Sequence, residues 1–469
     1  MTFHCLSRFL VFVLVAASGM ASRIEAADLE SHQQLARDLL EELIEINTTD
    51  SVGDNTAAAK AMAARLLEAG FAADDVQIFE PAPGKGNLVA HYRGSGNRAP
   101  ILLLAHIDVV EAHPDDWSFD PFEFREEDGY FYGRGTSDDK GMAAIWIANL
   151  IRMKQEGFAP DRDLIVALTA DEEGGDHNGV LWLLNQQREL IDAAYCLNEG
   201  GSGSIRDGRY VSNDIQLSEK VYITFQLEIT NPGGHSSIPE KDNAIYRLAA
   251  ALTRLAEYDF PVQLDDIMTT FFERRGEIEG GRYGAAMISL AKDPNDTEAI
   301  EQLSEVPYYN SLMRTTCVAT EVDAGHAENA LPQRARATIN CRMLPSDNPG
   351  MVQKKLVEIL DDEAITVTVT WEPDPSPPSP LQPEIMTAVE TITEAMWPGV
   401  PVIPTMITGA TDGLYLRNAG IPTYGVSGIF DDVDDNRAHG QDERVGVKQF
   451  FEGQEFLYRL VKELSSPRR

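Results

Sequence analysis

The chain has 469 residues, 43% of them hydrophobic, and sets 75 acidic against 39 basic side chains for a formal net charge of -36. That apolar content supplies cores for two or three domains. The charge excludes nucleic acid as a partner, because phosphate binding draws on clustered Lys and Arg, and suits solubility and the attraction of cations.

Residues 1–27 read as a secretory signal peptide, with Arg8 ahead of an apolar run at 9–17 and then small Ser18, Gly19 and Ala21. The run is shorter than the roughly 20 residues of a spanning helix. The mature chain is therefore expected to be exported, periplasmic or secreted, with no membrane span. Cys5 leaves with the signal. Of the other cysteines, Cys196 sits in an apolar strand as a small buried residue. Cys317 and Cys341 are available for one bridge.

Helical spacing of apolar residues marks 35–46 and 56–69, with Gly70 placed to end the second helix. Strands follow at 76–79, 87–92 and 101–105, a helix at 142–153, a strand at 164–169, a helix at 180–187 and a strand at 194–197. Strands alternating with helices predict an α/β domain with a mainly parallel sheet covered on both faces. After Ser218 the pattern changes. Val221, Ile223, Phe225 and Leu227 alternate with polar residues, 334–343 and 365–370 do the same, and helices at 243–258 and 352–360 complete an α+β module with one solvated sheet face. Residues 372–380 form a Pro-rich connector. Beyond it, a helix at 384–396, the 408–416 stretch, a strand at 423–426 and a helix at 448–464 restore the first pattern. The expected organisation is a catalytic domain in two parts, 28–218 and 373–469, interrupted by a module at 219–372. Aromatic residues between 260 and 309, including Phe271, Phe272, Tyr283, Tyr308 and Tyr309, suit either a core or the cover of an apolar acyl group.

Three apolar strands run into acidic or His clusters, where open α/β sheets build their sites. The first ends in His106-Ile-Asp108, whose alternation lets the Asp108 carboxylate hold the His106 ring. The second ends in Asp171-Glu172-Glu173, adjacent carboxylates that point in different directions, so that one can bind a metal while the other handles a proton. Asn198-Glu199 and Ala438-His439 supply a further carboxylate and imidazole. Together His106, Asp139, Glu173, Glu199 and His439 offer two imidazoles and three carboxylates, enough for two zinc sites that share one carboxylate and keep a position for water. Cobalt or manganese also accepts such mixed nitrogen and oxygen donors. Taken singly, each of these residues has a plain reading as a solvated loop charge or a surface His. His4, His32, His91, His113, His177 and His326 keep it.

The motifs His106-Ile-Asp108-Val-Val, Gly133-Arg-Gly-Thr-Ser-Asp-Asp139-Lys-Gly, Glu172-Glu173-Gly, Asn198-Glu199-Gly, Gly234-His235-Ser and the late His439 resemble those of a di-zinc exopeptidase and deacylase family. It includes glutamate carboxypeptidase, acetylornithine deacetylase, succinyl-diaminopimelate desuccinylase, aminoacylase and carnosinase-type dipeptidases. The resemblance covers the chain beyond the signal and implies a di-zinc hydrolase catalytic domain with an inserted α+β lid/dimerisation domain. It implies that His106 and Glu199 bind one Zn2+, Glu173 and His439 the other, and Asp139 both, with a cis peptide following Asp139. Glu172 would be the general base, and Asp108 would support His106. His235 would reach the active site to stabilise the oxyanion, often from a partner subunit of a homodimer. Asn329 and Arg342 would grip the substrate carboxylate, and the loop containing Gly409 would face the substrate. The expected reaction is hydrolysis of an amide beside a free carboxylate in a small peptide, by a carboxypeptidase or dipeptidase. An N-acyl-L-amino-acid deacylase is the alternative, and a secreted binding protein without turnover a second one.

Overall fold

The computed structural model describes residues 29–467, so the signal peptide reading at 1–27 lies outside the described residues. Leucine- and isoleucine-rich runs set the centre of the molecule. Strands Ile101–His106 and Leu164–Thr169 are buried at every residue, which requires cover on both faces of their sheet. They pair in parallel, with Ile101 opposite Leu164. Strand Tyr195–Asn198 continues in parallel beside Ile101–His106, and Thr423–Gly425 beside that. These four strands form the middle of a ten-stranded sheet. Antiparallel strands Val76–Phe79 and Asn87–Tyr92 lie on one side, while Arg209–Glu219, Gly203–Arg206, Val402–Ile407 and Phe430–Asp432 extend the other. Helix Lys140–Gln155, apolar around most of its circumference, is buried against the sheet and against helices Ser31–Ile44 and Val447–Ser465. His106, the loop after Thr169, and Glu199 all leave from the C-terminal ends of neighbouring parallel strands, so the topology alone gathers them.

Strands Thr316–Ala324, Arg334–Met343, Val221–Thr230 and Thr366–Trp371 form a second, wholly antiparallel sheet in that order. Ile223, Phe225, Leu227, Ile339 and Cys341 face a core shared with helices Ala244–Ala256 and Pro349–Leu360. Cys317 stands opposite Cys341 in the register and is disulfide-bonded to it, while Cys196 is free and buried. Between these strands the chain folds as helices Asp266–Glu279, Gly281–Lys292, Thr297–Ser304 and Pro307–Met313. Their Phe271, Phe272 and Tyr309 pack with Ile403 and Met406 of the large sheet. For these three aromatics the core reading holds.

One residue separates the two sheets, because Arg209–Glu219 runs through Lys220 into Val221–Thr230. Both charges at this crossing are buried. Glu219 pairs with Arg417 at 2.9 Å and accepts from the Thr411 hydroxyl at 3.0 Å. Lys220 donates to the carbonyls of Ser311 and Arg314 at 2.6 and 2.7 Å. On the return crossing, the Ser379 amide donates to the Leu217 carbonyl and its hydroxyl to that of Thr423, which pins the Pro-rich segment.

Burial, followed by the Arg342 charge, pushes the Lys220 ammonium down to about 7 from 10.5. Between those two pH values the unfolded chain binds the extra proton, so the stability linked to Lys220 is complete above the upper value and falls away as pH drops toward the lower. Lys220→Met is expected to flatten the rise of the unfolding midpoint measured across this alkaline window. A variant with the wild-type slope would contradict the linkage.

Candidate metal centre and active site

His106 is the last residue of its strand and is buried. Its Nδ1 donates to the backbone carbonyl of Asp108 at 3.0 Å, with the Asp108 carboxylate at 3.6 Å. The carbonyl thus fixes the ring more closely than the expected carboxylate does. Asp108 Oδ2 instead accepts the Glu173 amide at 2.9 Å, tying the first strand end to the second. With Nδ1 occupied, Nε2 is the atom left to face the site, as in histidines that bind metals.

The carboxylate between the two imidazoles belongs to Asp138, and this corrects the expectation that Asp139 occupies that place. Asp138 Oδ1 is 2.9 Å from His106 Nε2, and its Oδ2 is 3.0 Å from His439 Nε2. The cis peptide is Asp138-Asp139, one residue earlier than expected. Asp139 is the buried N-cap residue of helix Lys140–Gln155, and its carboxylate turns back to the His106 backbone. Neighbouring side chains point apart, so only one of the two acids can lie between the rings.

His439 Nε2 also lies 2.8 Å from Glu173 Oε1, and Glu199 Oε1 is 3.9 Å from His106 Nε2. The ligating atoms of His106, Asp138 and Glu173 lie within 4.8 Å of one another, and so do those of His106, Glu172 and Glu199. The structure therefore places His106, Glu173, Glu199 and His439 in one cluster, with the Asp138 carboxylate between the two rings and Glu172 beside them.

The electrostatics show an excess of acid. Burial, then the Glu199 charge, drives the Glu172 carboxyl well above its usual range, and burial does the same to Glu199. Asp412, buried behind them with Asn178 donating to it at 2.6 Å, is pushed up to about 7. Burial opposes ionisation of Asp138 as well, but hydrogen bonds from His106 and His439 outweigh it and hold this carboxyl low. The partners Asp138 and Glu173 in turn raise His439 to about 10. Burial works against the His106 imidazolium, yet Glu199, Asp108 and Asp138 bring it well above the ordinary value. Two imidazoles and a surplus of buried carboxylates fit divalent cations, which would displace the ring protons and offset the acidic charge.

Glu443, an acidic residue that the sequence reading passed over, shapes the loop carrying Asp138. Fully buried, it accepts from Arg134 Nη1 at 2.6 Å and from the amides of Gly135, Ser137 and Asp138 at 2.9, 2.8 and 3.1 Å. Gly141 lets this loop lie against the following helix, since a Cβ there would stand 2.4 Å from the Thr136 carbonyl. Glu443→Ala leaves Arg134 and three amides without their acceptor and is expected to cost about 3–5 kcal/mol of stability. Urea unfolding measures this, and a loss under about 1 kcal/mol would contradict the role.

A cavity of 750 Å³ opens from the cluster, lined by Glu172, Glu173 and His439 on one part and by Arg342, Tyr222 and Gly409 on another. Arg342 Nη1 reaches the Thr408 carbonyl at 3.4 Å. His235 and Asn329 are not brought into this lining. They sit together at the surface, where Gly234–His235 pairs with Ala330–Leu331 and the Ser236 amide donates to the Asn329 carbonyl. His235 is exposed, and its Nδ1 takes the Ser237 amide at 3.1 Å.

The model of Peptidase family M20/M25/M40 matches residues 102–463. The N-fatty-acyl-amino acid synthase/hydrolase PM20D1 of Xenopus tropicalis is 30% identical over 377 residues, covering 78% of this chain and 72% of that protein. Probable carboxypeptidase S-like 2 of Dictyostelium discoideum is 28% identical over 389 residues, covering 80% of this chain and 74% of its own. Among solved structures, the M20 family metallo-carboxypeptidase Sso-CP2 from Sulfolobus solfataricus shares the fold with a TM-score of 0.67 at 16% identity, over 93% of this chain and 99% of that one. With most of its length matched by the family model, the chain belongs to peptidase family M20/M25/M40, a family of hydrolytic enzymes.

Proposed function

We propose that the chain is an exported metal-dependent exopeptidase, a carboxypeptidase or dipeptidase that hydrolyses an amide bond beside a free carboxylate. The observation that carries this reading is Asp138 between His106 and His439, with Glu172 alongside, at a cavity that also presents Arg342. His106 and Glu199 would hold one cation, Glu173 and His439 a second, and Asp138 both. Zn2+ suits these donors, with Co2+ or Mn2+ as substitutes. Such a pair of cations supplies Lewis acidity to the scissile carbonyl and makes water more acidic.

Glu172 takes the proton from the attacking water and returns it to the leaving amine. Its raised pKa, caused first by burial and then by Glu199, lies in the direction that such two-way transfer needs. Arg342 holds the free carboxylate with its planar fork, and the backbone at Gly409 lines the path beside it. Asp108 fixes His106 and the Glu173 amide. His235 and Asn329, exposed on their own small sheet, would complete the site from the second copy of a homodimer. A strictly monomeric protein in analytical ultracentrifugation that retains full activity would oppose that part.

An N-acyl-L-amino-acid deacylase is the second reading, favoured by the similarity to an N-fatty-acyl-amino acid synthase/hydrolase. A secreted binding protein without turnover is disfavoured by Glu172, a further carboxylate beside the five side chains assigned to the two cations. Purified protein supplied with Zn2+ or Co2+ and offered dipeptides and N-acyl amino acids tests all three. Preferred cleavage of dipeptides supports the first reading, of N-acyl amino acids the second, and metal binding without any cleavage the third. Among the described residues no helix is long and apolar enough to cross a membrane. Export is checked by the N-terminus of protein recovered outside the cytoplasm, which should begin after the segment 1–27.

A further inference from the structure

The cavity that holds Glu172 is also lined by two aromatic side chains that packing alone does not explain. Trp371 ends the edge strand Thr366–Trp371. Alternation with Val367 and Val369, which pack toward the helix-covered core, would send Trp371 to that same face. The register changes first. Val369 stands opposite Phe225, but Trp371, not Thr370, stands opposite Thr224. Two residues thus face one, a bulge that turns Trp371 onto the other side of the sheet, with Tyr222 and Thr224. There the Trp371 and Tyr222 rings meet edge to face, their centroids 6.2 Å apart and their planes at 87°.

Tyr222 is the register partner of Arg342, whose guanidinium carbon lies 4.7 Å from the Tyr222 ring centroid. Trp371 is 63% exposed and Tyr222 38%. A bulge that moves an indole from a core-facing register to the wall of a cavity, next to a cationic grip, builds an apolar subsite for something held by that grip. Glu372 and Asp374 also line the cavity, and their charges disfavour an acidic group there.

We infer that Tyr222 and Trp371 bind the side chain of the residue that bears the substrate's free carboxylate, and that this residue is large and apolar, aromatic above all. This rests on the reading of Arg342 as the carboxylate grip. It makes Trp371 a specificity-determining residue on the leaving-amine side of the scissile bond.

The test uses Ala-X dipeptides and N-acetyl-X amino acids, with X as Gly, Ala, Leu, Phe, Glu or Lys, and the zinc-supplemented protein. In whichever series is cleaved, kcat/KM for Phe should exceed that for Gly by about 50-fold or more. Trp371→Ala should lower the Phe value about tenfold or more, mainly through KM, and the Gly value by less than about threefold, with Trp371→Phe recovering most of the loss. Calorimetry on Glu172→Ala protein gives a second readout: N-acetyl-phenylalanine should bind more tightly than N-acetyl-glycine, and the added Trp371→Ala change should erase the difference. A flat series, a preference for Glu or Lys, or an equal loss for every X in Trp371→Ala would overturn the inference. If nothing is cleaved, the hydrolase reading falls and the calorimetric comparison alone decides the subsite.

Discussion

Glu172→Ala is expected to retain the metal content of the wild type and to lose about 100- to 10,000-fold in kcat on any amide the enzyme cleaves. The residue is partly shielded, lies among Glu199, Glu173 and Asp412, and shares a tight group with His106 and Glu199. On the proposed mechanism, removing it takes away the group that moves the proton but leaves the two imidazoles and the Asp138 carboxylate between them in place. Metal analysis and steady-state kinetics on the same preparation separate the effects. Loss of metal together with activity would assign Glu172 to ligation, and unchanged kcat would remove it from the chemistry.

The second large effect distinguishes two neighbours. Asp138→Asn removes charge from the carboxylate that faces both rings and is expected to lose at least one of the two cations and about 1,000-fold or more in activity. Asp139→Asn is expected to keep both cations and to weaken the support of the His106 backbone, with a loss nearer 10- to 100-fold. Metal content by mass spectrometry and kcat/KM for both variants give the comparison. Asp139→Asn as the more damaging change, with metal lost, would restore the arrangement expected from the motif.

That ambiguity shows where sequence stops being legible. The parallel strands were readable because Ile101 to Ala105 and Leu164 to Leu168 are apolar at every position, which only a sheet covered on both faces tolerates. His106, Glu173 and Glu199 followed from lying at the ends of such strands. Two consecutive aspartates carry no signal for which one faces the rings, because that depends on the path of the backbone through Gly133 to Lys140. Glu443 was hidden for a related reason: in an acidic loop it looks like any solvated charge, and only the fold brings it to Arg134 and three amides. Trp371 reads as inward by alternation and is turned outward by a bulge that depends on its partner strand. Flanking strands such as Arg209–Glu219 and the helices between Asp266 and Met313 were not assigned, since their burial comes from contacts distant in sequence. His235 and Asn329 were picked out by motif alone, and the single chain leaves them at its surface, outside the cavity lining.

The most direct measurement is anomalous diffraction at the zinc edge from crystals of the zinc-loaded protein. Two peaks flanking the Asp138 carboxylate, one beside His106 and Glu199 and the other beside Glu173 and His439, are the expected result. Peaks elsewhere, or zinc-loaded crystals with no peak between these side chains, would contradict the proposed two-metal centre.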